Sequence, residues 1–291
     1  MVSPFLVSCR GTEAARAPSH PRVRVDLHIH STASDGVLGP ADVASEAARG
    51  GLDLVALADH DTAAGYAAAA AAAPPGVRVV PAIELTARGL GGERHILGYG
   101  IDPGHPAIVQ HAAEARRVRG ERMERMIAAL ERLGIRATAA AVEAEAAGAP
   151  LARPHLARVL VAMGAVQSHG EAFARYIGDD GPAYVASDAV DVAAAIGRIR
   201  AAGGVAVWAH PPPAALATEL GAYVEDGLAG LEVYRPRQTP EATRRLARLA
   251  RSRGLLATGG SDWHGPWDVP LGTFCVDGER LADFLSRLGL G

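Results

Sequence analysis

A chain of 291 residues has room for one large domain or two small ones, and 49% hydrophobic with 21% charged residues is the composition of a folded globular protein, not a disordered one. A net charge of −3 excludes a broadly basic, nucleic-acid-coating surface, though not a local anion site. The two cysteines, Cys9 and Cys275, cannot build a cysteine-rich zinc site or a disulfide framework, and no apolar run approaches the roughly 18 residues that span a bilayer. The expectation is a cytoplasmic protein of enzyme size, without a membrane and without an obligate protein partner. All 29 basic residues are arginine, which excludes any chemistry that needs a Schiff-base lysine.

Residues 1–22 carry neither helical nor strand periodicity. Leu6-Val7-Ser8-Cys9 has the form of a lipoprotein cleavage box, but no basic residue precedes it and its apolar stretch is shorter than a signal sequence needs; the segment reads as a disordered tail. From Val23 the text becomes regular. Strands are predicted at 23–30, 52–59, 77–85, 94–101, 204–210, 230–234 and 255–260. Helices are predicted at 40–50, opened by Pro40, at 62–73, capped by Asp61 or Thr62, and at 190–202, 214–226 and 240–253. Several of the strands are apolar through most of their length, as parallel strands under covering helices are. About seven βα repeats point to an α/β fold closed as a (β/α) barrel. Residues 103–186 break the alternation and read as helix at 105–133, 138–147, 154–163 and 170–177, with one short strand candidate at 183–187. That is too long for a βα loop. The expected organisation is a barrel from 23–102 and 187–291, with a helical insertion at 103–186 over one end.

The chemistry lies in where histidines and carboxylates fall. His28 and His30 stand two apart on a predicted strand, so their side chains share a face. Asp35 follows in the next loop, His60 ends the second strand, and Glu84 is a lone acid in an apolar third strand, where it is costly to bury unpaired. His95 opens the fourth strand, His210 ends the fifth, and Asp262 and His264 follow the seventh. All but His95 sit at strand C-terminal ends, where barrel folds gather their active sites. Six of the eleven histidines belong to this set. Nine nitrogen and oxygen ligands exceed the four of a closed zinc site and suit two or three divalent ions with open positions. Three carboxylates leave such ions a surplus of positive charge, which favours a phosphate ester over a neutral amide or sugar. Imidazole with carboxylate and no thiolate suits manganese, with zinc or ferrous iron as the alternatives.

The segments DLHIHSTASDG, ALADHDT, PAIELT, HILGY, WAHPP and TGGSDWHG resemble, in this order, the motifs of the PHP (polymerase and histidinol phosphatase) family. The long insertion after HILGY and RPHLARVL inside it resemble its TrpH-like branch. The resemblance runs from about Val23 to the C-terminus. It implies a distorted (β/α)7 barrel and metal-dependent hydrolysis of 3′,5′-nucleoside bisphosphates or short 5′-phosphorylated RNA. It further implies three ion sites: His28, His30, Glu84 and Asp262; then Asp35, His60 and His264; then His95 and His210, with Glu84 bridging.

For substrate, Arg153-Pro154-His155 opens a helix, where free N–H groups, the helix dipole and the Arg153 guanidinium suit an anion. Arg116 and Arg119 on the preceding helix are further candidates, with a solvated, charged helix face as the alternative. The branch usually has a lysine where this chain has Gly181, and Arg235 or Arg237 is the candidate substitute. Trp208, Trp263 and Trp267 lie near the motifs, where core packing is the commoner fate of tryptophan and base stacking the alternative. The expected mechanism is attack by a metal-bridging hydroxide, with His210 or a metal-bound water as the acid for the leaving alcohol. Neither a nucleophile elbow nor a P-loop is present. The rival readings are a histidinol-phosphate or other small-metabolite phosphatase and, from a different class, a non-catalytic PHP scaffold, whose signature would be lost ligands.

Overall fold

The computed structural model describes residues 22–266 and 269–290; the tail expected over 1–22 lies, but for Arg22, outside them. Strands β1 (Arg24–Ile29), β2 (Leu54–Leu57), β3 (Arg78–Gly89), β4 (Gly92–Tyr99), β5 (Val205–Trp208), β6 (Gly230–Tyr234), β7 (Leu256–Gly259) and β8 (Val276–Asp277) form one sheet. Its order is β7-β6-β5-β4-β3-β2-β1-β8. The sheet curls until its ends meet. Beyond β7, Trp263 bridges Ile29 in parallel, and the His30 N–H donates to the Trp263 carbonyl at 2.9 Å. The result is a nearly closed barrel with helices around it.

Three pairings depart from the parallel pattern expected of βα repeats. β3 and β4 form an antiparallel hairpin turned at Leu90–Gly91, β4 also runs antiparallel to β5, and β8 runs antiparallel to β1. A two-residue turn leaves no room for a crossover helix, and only antiparallel strands can be joined so tightly.

Inside the barrel, Leu27, Ala56, Ala82, Leu97, Tyr99 and Val207 pack together. Phe284, on helix α10 (Ala282–Arg287), stands edge-on to Tyr99 at 5.1 Å and closes the end away from the histidines. Neither β8 nor α10 was expected from the sequence; two residues of strand and six of helix are too short to show a period. Outside, helix α1 (Pro40–Arg49) starts at Pro40, and α2 (Tyr66–Ala72) is almost pure alanine, the best helix former. α2 begins four residues later than predicted, and Asp61 and Thr62 do not cap it. Asp61 instead adopts positive φ (55°) and turns its carboxylate inward.

Residues 103–186 carry α3 (Pro106–Arg132), α4 (Ala139–Ala146), α5 (Arg153–Ala162), α6 (His169–Ala172) and a π-helical turn at Phe173–Ile177. Met126, Leu130, Val142, Leu156, Leu160 and Ile177 make a separate apolar cluster there. The strand candidate at 183–187 is irregular: it runs beside α3, where Arg122 donates to the Val185 carbonyl at 2.8 Å. α7 (Val192–Ala201), α8 (Pro213–Glu225) and α9 (Pro240–Ser252) complete the outer layer against β3–β7.

Candidate metal centre and its cavity

The hairpin accounts for the one residue out of place in the sequence. His95 lies near the start of β4, opposite Thr86 near the far end of β3. Because β4 is reversed, its start lies beside the C-terminal ends of its parallel neighbours. All nine candidate ligands therefore share one rim.

Their ligand atoms fall into three groups, each within 4.8 Å: His28, His30, Glu84 and Asp262; His30, Asp35, His60 and His264; and His60, Glu84 and His95. His210 adjoins the third, its Nε2 lying 3.1 Å from Glu84 Oε1 and 3.3 Å from His95 Nδ1. Glu84 is the hub. Its Oε2 faces His28 Nε2 at 3.2 Å, His30 Nε2 at 3.3 Å and His60 Nδ1 at 3.1 Å, while Oε1 faces His95 and His210. His210 and Asp262 have positive φ, 31° and 55°, a conformation uncommon outside glycine that concentrates at functional sites.

Electrostatics follow from this crowding. Burial alone would push Glu84 up, but His28, His60 and His95 hold its carboxyl well below the usual carboxylate range. Against the same effect of burial, His60 and His264 hold Asp35 low, and His28 and His30 hold Asp262 low. Burial opposes protonation of His30 and His95, yet the carboxylates facing them raise both to about 10. His60, where burial wins, falls to about 3. Meanwhile the buried Nε2 of His28, both ring nitrogens of His30, Nδ1 of His60 and Oε2 of Glu84 make no hydrogen bond. Buried polar atoms are rarely left so. Orphaned imidazole and carboxylate donors converging on common points fit divalent cations.

A ring of partners holds these side chains, and most of it was not anticipated. Glu232 accepts from His28 Nδ1 at 2.8 Å and from the His210 N–H at 2.7 Å. Asp59 accepts from the Ser31 N–H and from the hydroxyls of Ser31 and Ser34, fixing the loop that carries Asp35. Asp61 accepts from the Thr86 N–H and from Arg119 Nε, both at 2.7 Å, and from His111 Nε2 at 2.8 Å. Since Arg198 donates to His111 Nδ1 at 2.7 Å, the His111 proton sits on Nε2. Glu232 carries the same signal that marked Glu84, a lone acid in an apolar strand. Asp59 and Asp61 flank His60 in the chain.

Beside the metal groups lies a cavity of about 140 Å3, bounded by Asp35, His60, His95 and His264 on one side and by α3, α5 and the π-helical turn on the other. Of the predicted substrate residues, Arg119 and Arg153 line it. Arg119 has its donors committed to Asp61, Thr86 and the Leu151 carbonyl. Arg153 pairs with Asp179 at 2.6 Å and lies 3.5 Å from Glu93. Arg116 is exposed on α3 and does not line the cavity. His155 does not either: it is buried, its Nδ1 accepts the Ala152 N–H at 3.0 Å, and burial lowers it to about 4.

Arg235 and Arg237 are also away from the cavity, with Arg235 donating to Gln238 at 2.9 Å. The arginine the sequence did not single out is Arg122. Buried in the cavity wall, it donates to Glu93 at 2.8 Å and to Val185, and leaves one terminal nitrogen without a partner. At Gly181 a Cβ would overlap the carbonyl oxygen of Tyr176, so the loop as folded has no place for the lysine. Trp208 and Trp263 are buried core residues, and Trp267 lies outside the described residues.

Among the described residues no helix is long and apolar enough to cross a membrane. No family model matches the chain. It is 35% identical over 252 residues to the 5′-3′ exoribonuclease of Haemophilus influenzae, across 84% of this chain and 90% of that one. It is 36% identical over 249 residues to the 3′,5′-nucleoside bisphosphate phosphatase of Chromobacterium violaceum, across 83% and 87%. A solved structure from Bifidobacterium adolescentis, described as a metal-dependent phosphoesterase, superposes with a TM-score of 0.80 at 33% identity over 90% of this chain and 96% of that one. A chain that shares about a third of its residues, nearly end to end, with hydrolases of this kind belongs to their family, the PHP metal-dependent phosphoesterases.

Proposed function

We propose that the chain hydrolyses phosphate esters of nucleotides, 3′,5′-nucleoside bisphosphates and short 5′-phosphorylated RNA, at a centre held by His28, His30, Asp35, His60, Glu84, His95, His210, Asp262 and His264. Divalent ions there, manganese being the best match to the donor set, would polarise phosphoryl oxygens and acidify water. The chain's own part is to orient the ligands and the ester. Glu232, Asp59 and Asp61 fix the ligand-bearing backbone. The helical segment 103–186 caps the rim, excludes bulk water and presents Arg122 and Arg153 to a second phosphate. His210 has the most exposed side chain of the six histidines, at 30%, so it is the group best placed to pass a proton to the leaving alcohol.

The observation that carries this reading is the convergence of the candidate ligands on one rim, with buried imidazole and carboxylate atoms left without partners, beside a cavity lined by Arg119, Arg122 and Arg153. Three arginines against the one carboxylate of Glu93 in that wall suit a further anion. The relatives' substrates, a nucleoside bisphosphate in one and RNA in another, support the nucleotide over histidinol phosphate. The nine filled positions weigh against a non-catalytic scaffold. A cytoplasmic location fits such substrates.

The test is phosphate release with manganese from adenosine 3′,5′-bisphosphate, 5′-phosphorylated short RNA and histidinol phosphate, with EDTA and His28→Ala as blanks. Release from the first two is expected. Release from histidinol phosphate alone would move the assignment to small metabolites, and silence on all three would overturn it.

A further inference from the structure

Helix α9 carries an arginine stripe that neither the fold nor the metal centre uses. Arg244, Arg245, Arg248, Arg251 and Arg253 are all exposed, and Glu241 is the only acid on the helix. No acidic partner for any of the five exists among the described residues. Between residues 103 and 186, Arg117, Arg125, Arg158 and Arg175 each meet a carboxylate at 2.5–2.6 Å, whereas the exposed Arg116, Arg132 and Arg136 meet none among the described residues; only α9 gathers five such arginines within ten residues. In a chain of net charge −3, an unneutralised row of this kind is a local field of its own. At 100° per residue, Arg244, Arg248 and Arg251 fall nearly one above another, over about 10 Å of helix.

Position adds to charge. α9 follows the loop that leaves β6 at its ligand-bearing end, two residues beyond Glu232, which holds His28 and His210. From there it runs back along the outside of the barrel. The helix thus starts on the side of the rim, and the stripe runs away from it from the second turn on.

We infer that this face of α9 binds the sugar–phosphate backbone of single-stranded RNA whose 5′ end lies at the metal centre, a surface separate from the cavity. The inference rests on the proposed reading of that centre. Guanidinium groups in a row track a polyanion without reading its bases. An anionic membrane is the poorer match, because a surface-lying helix must insert an apolar face, and Leu246 and Ala250 are already buried against the barrel.

The experiment is fluorescence anisotropy of a labelled, 5′-phosphorylated decaribonucleotide with the full chain in EDTA, as a function of salt. Wild type is compared with the triple variant Arg244→Gln, Arg248→Gln, Arg251→Gln. Three lost phosphate contacts should make the log–log salt slope shallower by about two and weaken binding about tenfold at low salt. Hydrolysis of adenosine 3′,5′-bisphosphate, which is too short to reach α9, should be unchanged and also reports that the variant is folded. Equal affinity and slope for the two proteins, no RNA binding by wild type, or arginine-dependent binding to phosphatidylserine vesicles in place of RNA would each overturn the inference. The two readings fail separately: inactivity on the bisphosphate with α9-dependent RNA binding would sink the proposed function and leave this surface standing.

Discussion

The Glu232 carboxylate lies 2.8 Å from Nδ1 of His28, with both side chains wholly buried. That contact turns Nε2 of His28 toward Glu84 and Asp262, and the other Glu232 oxygen takes the His210 N–H. One carboxylate thus orients residues of two different ligand groups. Glu232→Gln keeps the shape but leaves one acceptor where two N–H groups need one each, so one bond weakens and the other is lost; loss of such an outer partner typically costs 10–100-fold in metal affinity. Calorimetric titration with manganese should show a loss of about that size. An unchanged affinity would reduce Glu232 to a filler of the barrel.

Metal binding should depend steeply on pH. Without an ion, the carboxylates facing His30 and His95 outweigh burial and raise both rings to about 10. At neutral pH both are therefore protonated, and each must release a proton before it can ligate. Affinity should rise with pH across 6 to 9, by about tenfold per unit for every proton displaced. Titrations in buffers of different ionisation enthalpy count those protons. Binding without proton release would contradict the charge state assigned to these histidines.

The rim of the barrel was legible because ligands need particular residue types at strand ends, and a period of two or a lone acid in an apolar run is visible in one dimension. His95 was the exception, since a hairpin that reverses one strand leaves no mark beyond the Gly-Leu-Gly-Gly turn at 89–92. Arg122 was hidden for another reason. On an arginine-rich helix, sequence cannot tell Arg119 and Arg122, which line the cavity, from the four arginines that do not, and Arg116 and Arg119 were chosen by the same faint signal. Glu93 and Asp61 act through contacts across 29 and 58 positions of chain, and no spacing rule reaches that far.

Asp61 ties helix α3 to the barrel through Arg119. Burial alone would push its carboxyl up, but Arg119 and His111 hold it far below the ordinary range. Its folded pKa is depressed, so the contact stabilises the fold above the unfolded value of about 3.9 and is lost as pH falls toward the folded one. Arg119→Met leaves a buried carboxylate short of its strongest partner and should cost about 3–5 kcal/mol at pH 7. The gap to wild type should narrow only under strongly acid conditions. A variant as stable as wild type in urea denaturation at pH 7 would refute the tie.

Glu93 sets how much positive charge the cavity offers. Its carboxylate spans His95 at 3.4 Å, Arg122 at 2.8 Å and Arg153 at 3.5 Å, and against burial these cations hold it well below the usual range. Any phosphate drawn to Arg122 must approach that negative group. Glu93→Gln removes the charge while keeping the shape, so inorganic phosphate should inhibit at lower concentration by a factor corresponding to about 1–2 kcal/mol, roughly five- to thirtyfold. Weaker inhibition would mean that Glu93 serves to brace the arginines and does not compete with phosphate for them.

Gly181 decides whether the lysine of the branch can be restored. Its N–H donates to the Gly178 carbonyl at 2.7 Å in a tight turn after the π-helical residues, and any Cβ there would meet the Tyr176 carbonyl. A backbone oxygen cannot yield as the end of a flexible side chain would, so the loop must move. That loop adjoins Tyr184, whose ring lies 5.5 and 5.6 Å from the Arg122 and Arg153 guanidiniums. Gly181→Lys should therefore lose about 1–3 kcal/mol, the cost usual for overpacking, and should raise KM for a bisphosphate despite the added charge. Gly181→Ala separates the two effects, since it brings the clash without the ammonium. If the lysine variant is as stable as wild type and lowers KM, the turn has room that its backbone does not display, and Arg122 is not the residue that stands in for the missing cation.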